Sequence, residues 1–261
     1  KAFDTSIIVN DYYQGGLAEI IRRPMSTNSW AHPRGVGVYE YTDENGKKKD
    51  YKYDSTGSEI EALVKAAGYT KSSNGVYEKD IAGFGTDTLN YKLTIAGGST
   101  DHPAYKMFLS PFQQAGFDVK VVTSQTALSD LSSGKLAVWA AAWSSTIDPD
   151  MYQVYHIDSQ ASSTSNWGYK QIKSGKNGAY KQEYQIITDL SELIDAGRAT
   201  IDENERKRIY ANALNKIMEL AVEFPTYQRK DMMAYNKNVL DVKTMTPENE
   251  RSPYNGLISR I

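Results

Sequence analysis

Apolar positions recur along this chain with two different periods. In residues 179–195, Tyr180, Tyr184, Ile187, Leu190 and Ile194 are spaced by three and four, which predicts an amphipathic helix. Residues 203–223 predict a second one. Asp202 stands at its N-cap with Glu205 three positions later, and Pro225 closes its end. Period two marks strands instead. Asn90–Ala96 (NYKLTIA) alternates, and residues 119–123 read as a further strand. Residues 136–143 (LAVWAAAW) are almost wholly apolar, which fits a strand buried on both faces. Residues 103–115 and 126–131 read as helices between these strands, with glycine turns at 97–98, 116 and 134. This β-α-β-α-β order predicts a partly parallel sheet covered by helices.

The flanking segments are less regular. Residues 1–16 open in a helical pattern, with Phe3, Ile7 and Ile8 on one face and Gly15-Gly16 as the stop. Residues 38–53 predict a hairpin around Asn45-Gly46, a favoured pair for tight turns. A helix is expected over 58–67, with Ile60, Leu63, Val64 and Ala67 inward and Gly68 closing it. Residues 69–88 read as loop with short extended pieces, and 144–178 as a long irregular segment rich in Ser, Asp, Asn and Gly. The opening in mid-pattern and the final apolar run Leu257-Ile258 read as cuts from a longer protein.

Composition narrows the function classes. The 261 residues carry 32 acidic and 30 basic side chains, a net charge of -2 that gives no electrostatic case for nucleic acid. No stretch approaches the ~18 apolar residues of a membrane span. Cysteine is absent, which excludes disulfides, thiol nucleophiles and cysteine-ligated metals. Tyrosine outnumbers phenylalanine 19 to 6, which suits wet binding surfaces and equally a surface of half-buried aromatics.

Catalytic motifs are missing. His32, His102 and His156 have no short metal-ligand spacing, so no metal site is expected. Neither a phosphate-cradling glycine motif nor a serine-hydrolase elbow is present. Asp148-Pro149-Asp150 lies beyond the apolar strand, where open α/β sheets place ligands. It reads either as part of a binding site or as a proline-centred turn with solvated acids. The strongest local signal is aromatic: Trp143, Tyr152, Tyr155, Trp167 and Tyr169 sit among Ser, Asn and Asp. Such residues can wall a pocket or pin a loop to its own domain.

Four segments in fixed order carry a resemblance that spans nearly the whole chain. They are AFDTSIIVNDYYQGG at 2–16, DYKYDSTGSEIEALVKAAGY at 50–69, LSSGKLAVWAAAWSSTIDPDMYQVYH at 131–156 and TIDENERKRIYANALNKIMELAVEFPTYQRKDMMAYN at 200–236. Together they resemble the C-terminal lobe of bacterial extracellular solute-binding proteins of the peptide/oligopeptide class (family 5), which serve ABC importers.

The resemblance implies an α/β fold with a mixed sheet and flanking helices, one lobe of a two-lobed, periplasmic-binding-protein-like (type II) architecture. Residues 1–261 would form that lobe, with 38–53 as a hairpin insertion and the N-terminal lobe elsewhere. It implies capture of a small solute, a peptide, for delivery to a membrane permease, by a monomer without cofactor or catalysis. The place implied is the periplasm or, through a lipid anchor, the outer face of the cytoplasmic membrane. Trp143 would stack on the ligand and Asp148 pair with its amine. Tyr152, Tyr155, Asn166, Trp167 and Tyr169 would supply further contacts. One departure stands out. Ser144, Ser145, Thr146 and Ile147 separate Trp143 from Asp148, a longer spacing than peptide binders of the class show. A secreted carbohydrate-active enzyme, or an adhesion or signalling module whose aromatic loop packs shut, are the readings from other classes.

Overall fold

The computed structural model describes residues 1–34, 40–42, 47–50, 53–96, 103–136, 138–140, 142, 148–161, 167–232 and 234–246. The chain opens in a short helix, α1 (Thr5–Ile7), whose first turn is capped by the Asp4 carboxylate accepting from the Ser6 N–H. A π-helical turn over Ile8–Tyr12 continues it and buries Ile8 and Val9. Strand β1 (Ala18–Ile20) follows. The predicted hairpin appears as β2 (Glu40–Thr42) paired antiparallel with β3 (Lys48–Asp50). Helix α2 (Ser58–Ala66) buries Ile60 and Val64, one turn apart, against Tyr77 and Leu89. Leu63, expected inward, is exposed because the Ile60–Val64 line alone meets the core.

Residues 69–88 contain the expected short extended pieces, but these pair with one another where loop was expected. They form a small antiparallel meander of β4 (Thr70–Lys71), β5 (Tyr77–Ile81) and β6 (Gly85–Thr88). Gly75, Gly83 and Gly85 turn it with positive φ, and β6 is exposed throughout, so no apolar alternation announces it.

The central sheet follows the predicted order. Its strands are β7 (Asn90–Ala96), β8 (Asp118–Ser124) and β9 (Val138–Ala140), linked by α3 (Pro103–Gln114) and α4 (Ala127–Ser132). β7 lies in the middle and pairs parallel with both neighbours, Leu93 opposite Val121 on one side and Val138 on the other. The expectation of a strand buried on both faces is corrected at β9. Among the described residues it pairs with β7 alone, and Val138, Trp139 and Ala140 are only half-buried.

The C-terminal half is helical. The described part of the long segment after β9 holds two helices, α5 (Tyr152–Tyr155) and α6 (Tyr169–Ser174), where its polar composition announced none. Then come α7 (Lys181–Ala199) and α8 (Glu203–Leu220), packed against each other. Ile187, Leu190, Ile194, Tyr210, Leu214 and Ile217 meet there in the main core. Tyr180, expected on that face, is exposed instead. It precedes the helix, and its ring covers Gly175. The Asp202 carboxylate accepts from the Glu205 N–H at 2.7 Å, as the cap motif predicts. α8 ends before Pro225, at Ala221 in the left-handed region. β10 (Tyr227–Arg229) returns to pair antiparallel with β1.

Candidate functional site

The chain leaves β9 at the carboxyl end of the parallel sheet, and the segment carrying the candidate residues begins there. Trp143 and Asn166 lie outside the described residues. Asp148, Tyr152, Tyr155, Trp167 and Tyr169 can be placed, and they divide into two groups.

The first group is enclosed. Tyr155, Trp167 and Tyr169 are 5%, 9% and 3% exposed and belong to the main core with Ile187 and Leu190. The rings of Tyr155 and Trp167 lie nearly parallel, 5° apart in plane, with centroids 6.2 Å apart. Each polar tip has a partner in the chain. The Trp167 Nε1–H donates to the Val154 carbonyl at 3.1 Å, and the Tyr169 hydroxyl to the Tyr155 carbonyl at 2.9 Å. The Tyr155 hydroxyl donates to Glu223 Oε2 at 2.6 Å. Burial, then the nearby Glu223 charge, pushes both tyrosine hydroxyls far above their ordinary range. Burial likewise raises the Glu223 carboxyl, while the Tyr155 hydrogen bond pulls the other way. This cluster pins residues 151–155 and 167–172 onto α7 and α8.

The second group lies nearer the surface, with Asp148 exposed and Tyr152 half-buried against the edge of the main core. Asp148 accepts from the Asp150 N–H at 3.0 Å, and Asp150 from the Tyr152 N–H at 3.0 Å, two consecutive side-chain-closed turns around buried Pro149. The Asp148 side chain is 64% exposed and meets Arg206 Nη2 at 3.4 Å. Asp150 meets Arg198 Nε at 3.3 Å. The Arg198 guanidinium lies 4.4 Å from the Tyr152 ring centroid, and that ring also stacks on His156 with centroids 4.2 Å apart. His156 in turn meets Asp195 at 3.3 Å. The arrangement offers charge, an aromatic edge and rigid turns.

Sequence reasoning missed the arginines. Arg206 donates from Nε to the Gly197 carbonyl (3.1 Å) and from Nη2 to the Tyr210 hydroxyl (3.2 Å), and its guanidinium lies 5.2 Å from the Trp30 ring. Arg23 is almost wholly buried and donates from Nε and Nη2 to Asn215 Oδ1, at 3.1 and 2.8 Å. Asn215 lies far in sequence from Arg23, and Asp148 and Trp30 lie far from Arg206, so no local pattern announces these contacts. Among the described residues no group of His, Asp or Glu could hold a metal ion, and no helix is long and apolar enough to cross a membrane.

No family model matches the sequence, and no curated protein matches it. Solved structures do. Over 87% of this chain, NikZ from Campylobacter jejuni in complex with Ni(L-His) superposes with a TM-score of 0.64 at 21% identity. The oligopeptide-binding protein AppA from Bacillus subtilis, in complex with a nonapeptide, superposes over the same share with 0.65 at 18% identity. The fold is a mixed α/β lobe with flanking helices, and it matches one lobe of type II periplasmic-binding-protein-like structures. DppA from Helicobacter pylori, an ABC transporter-associated periplasmic binding protein in complex with the peptide STSA, shares this lobe with a TM-score of 0.53 at 20% identity. The chain spans 40% of the length of NikZ and AppA and 36% of DppA. AppA and DppA are binding proteins by description, as the resemblance of the four segments led one to expect.

Proposed function

We propose that this chain is the C-terminal lobe of a longer, two-lobed protein that captures a solute outside the cytoplasmic membrane and hands it to an ABC importer. The observation that carries the reading is the shared fold with solute-binding proteins across nearly the whole chain. The ligand is a peptide in this reading, held without chemistry, and the protein acts as a monomer in the periplasm or on a lipid anchor. Trp143 and Asn166 contact the ligand, beside Asp148 and Tyr152 at the outward turn. Tyr155, Trp167 and Tyr169 support those contacts from within the core, since their polar tips are engaged there.

Native mass spectrometry of the full-length protein, as purified, tests this. A co-purifying species with a peptide mass supports it. A metal–amino-acid chelate would replace the peptide while leaving solute capture in place, and a ligand-free protein that binds neither class would overturn it. Calorimetry adds the lobe arrangement. If the opposite wall of the cleft lies on another lobe, the isolated 261-residue chain should bind far more weakly than the full-length protein, since half of a ~8 kcal/mol interaction leaves affinity on the order of 1 mM.

A further inference from the structure

The Asp148-Pro149-Asp150 turn is gripped from both ends by arginines that flank the α7–α8 corner. Arg198, in the last turn of α7, holds Asp150 and covers Tyr152. Arg206, in the first half of α8, holds Asp148. The Arg206 guanidinium has little freedom of its own. Gly197, Tyr210 and Trp30 fix it from three sides, and its side chain is only 22% exposed against 64% for Asp148. A fixed cation therefore meets a solvent-facing carboxylate. Such a pair contributes little to global stability, because water screens its outer member. It does set where the carboxylate points and how much negative charge the turn presents.

We infer that Arg206 is a positioning residue for the ligand-side turn, holding Asp148 in place and offsetting its charge, so that the site accepts an amine-bearing solute without demanding one. This rests on the reading of Asp148 as ligand-facing. The longer spacing between Trp143 and Asp148 fits it: the carboxylate is shared with the protein's own cation instead of being committed to a ligand amine.

Two measurements on the full-length protein separate this inference from the functional reading. The first needs no ligand. In Arg206→Met, hydrogen exchange across residues 149–157 should rise about threefold to tenfold, while amides around Leu190 and Leu214 keep their protection. If Arg206→Met loosens the helices as well, Asp148→Asn decides. It keeps the turn's own acceptor for the Asp150 N–H but discharges the ion pair, and it should loosen the same segment alone. Unchanged exchange of 149–157 in Asp148→Asn overturns the positioning role. The second measurement compares trialanine with N-acetyl-trialanine. Arg206→Met should raise the preference for the free amine about tenfold, as a carboxylate relieved of the Arg206 charge attracts an ammonium more strongly. A purely structural arginine would weaken both probes alike, and an unchanged ratio overturns the charge-offsetting role. Wild-type protein that binds neither probe would count against the peptide reading, while the exchange comparison still decides the grip.

Discussion

Gly197 of α7 lies so close to Tyr210 of α8 that a β-carbon placed on it would sit 2.3 Å from the ring Cε1. The two helices approach there because no side chain intervenes, and that approach lets Arg206 reach the Gly197 carbonyl. Gly197→Ala should therefore destabilise the protein by ~1–3 kcal/mol, as overpacking does. The ~1 kcal/mol that alanine gains in helix propensity is too small to offset the clash. Urea unfolding of the variant beside wild type measures this. Equal stability would mean that the Tyr210 ring can move aside.

Glu223 ties stability to pH. Its carboxyl is raised above the ordinary 4.5 by burial. The folded protein then binds the proton more tightly than the unfolded chain. Between 4.5 and the raised value the native state is the more protonated, so this group's contribution falls as pH rises across that window and stays low above it. Glu223→Gln keeps an acceptor for Tyr155 and removes the charge. The variant should be more stable than wild type near neutral pH, with the difference shrinking as pH falls through that window toward 4.5 and constant below it. Unfolding midpoints measured across pH 4 to 8 show it, and a constant difference would assign the effect to packing.

Tyr155→Phe probes the same pair from the other side. It leaves a half-buried carboxyl without its hydroxyl donor, at a cost of about 1 kcal/mol. Combined with Glu223→Gln the cost should shrink, which a double-mutant cycle reads directly.

Asp202→Ala removes the N-cap of α8 and should cost about 1 kcal/mol in thermal or urea unfolding. A larger loss would mean that the cap also sets how the corner between α7 and α8 is turned.

Much of this architecture could be read before any coordinates. The Asp202–Glu205 cap and the Ile187, Leu190, Ile194 stripe are local patterns whose physics acts within one or two turns. The parallel pairing of β7, β8 and β9 followed from alternating strands and helices, whereas the spatial order β8-β7-β9 came only with the structure. The 70–88 meander was hidden because its strands are short and largely exposed, leaving no inward face to alternate. The site was legible by position and ambiguous by role. Tyr155 and Trp167 look the same in sequence whether they line a cleft or close a core, because what differs is where their polar tips end: on Glu223 and on Val154. The Arg206 grip depends on Trp30 and Asp148, brought together only by the fold.

The pairing of β1 with β10 puts Ile20 opposite Tyr227, which closes a chain segment of about 200 residues. β7 and β8 close one of about 30. Each doubling of loop length costs about 0.6 kcal/mol in closure entropy, so the outer ladder starts about 2 kcal/mol behind the inner one. With only three residues per strand to repay that debt, β1 and β10 should join late in folding, after the sheet and the α7–α8 pair have shortened the effective path between them. The segment from Ile21 to Arg34, which brings Arg23 to Asn215 and Trp30 to Arg206, would then settle on the helices only in that last step. The orientation of the 148–152 turn is accordingly among the final properties the chain acquires as it folds.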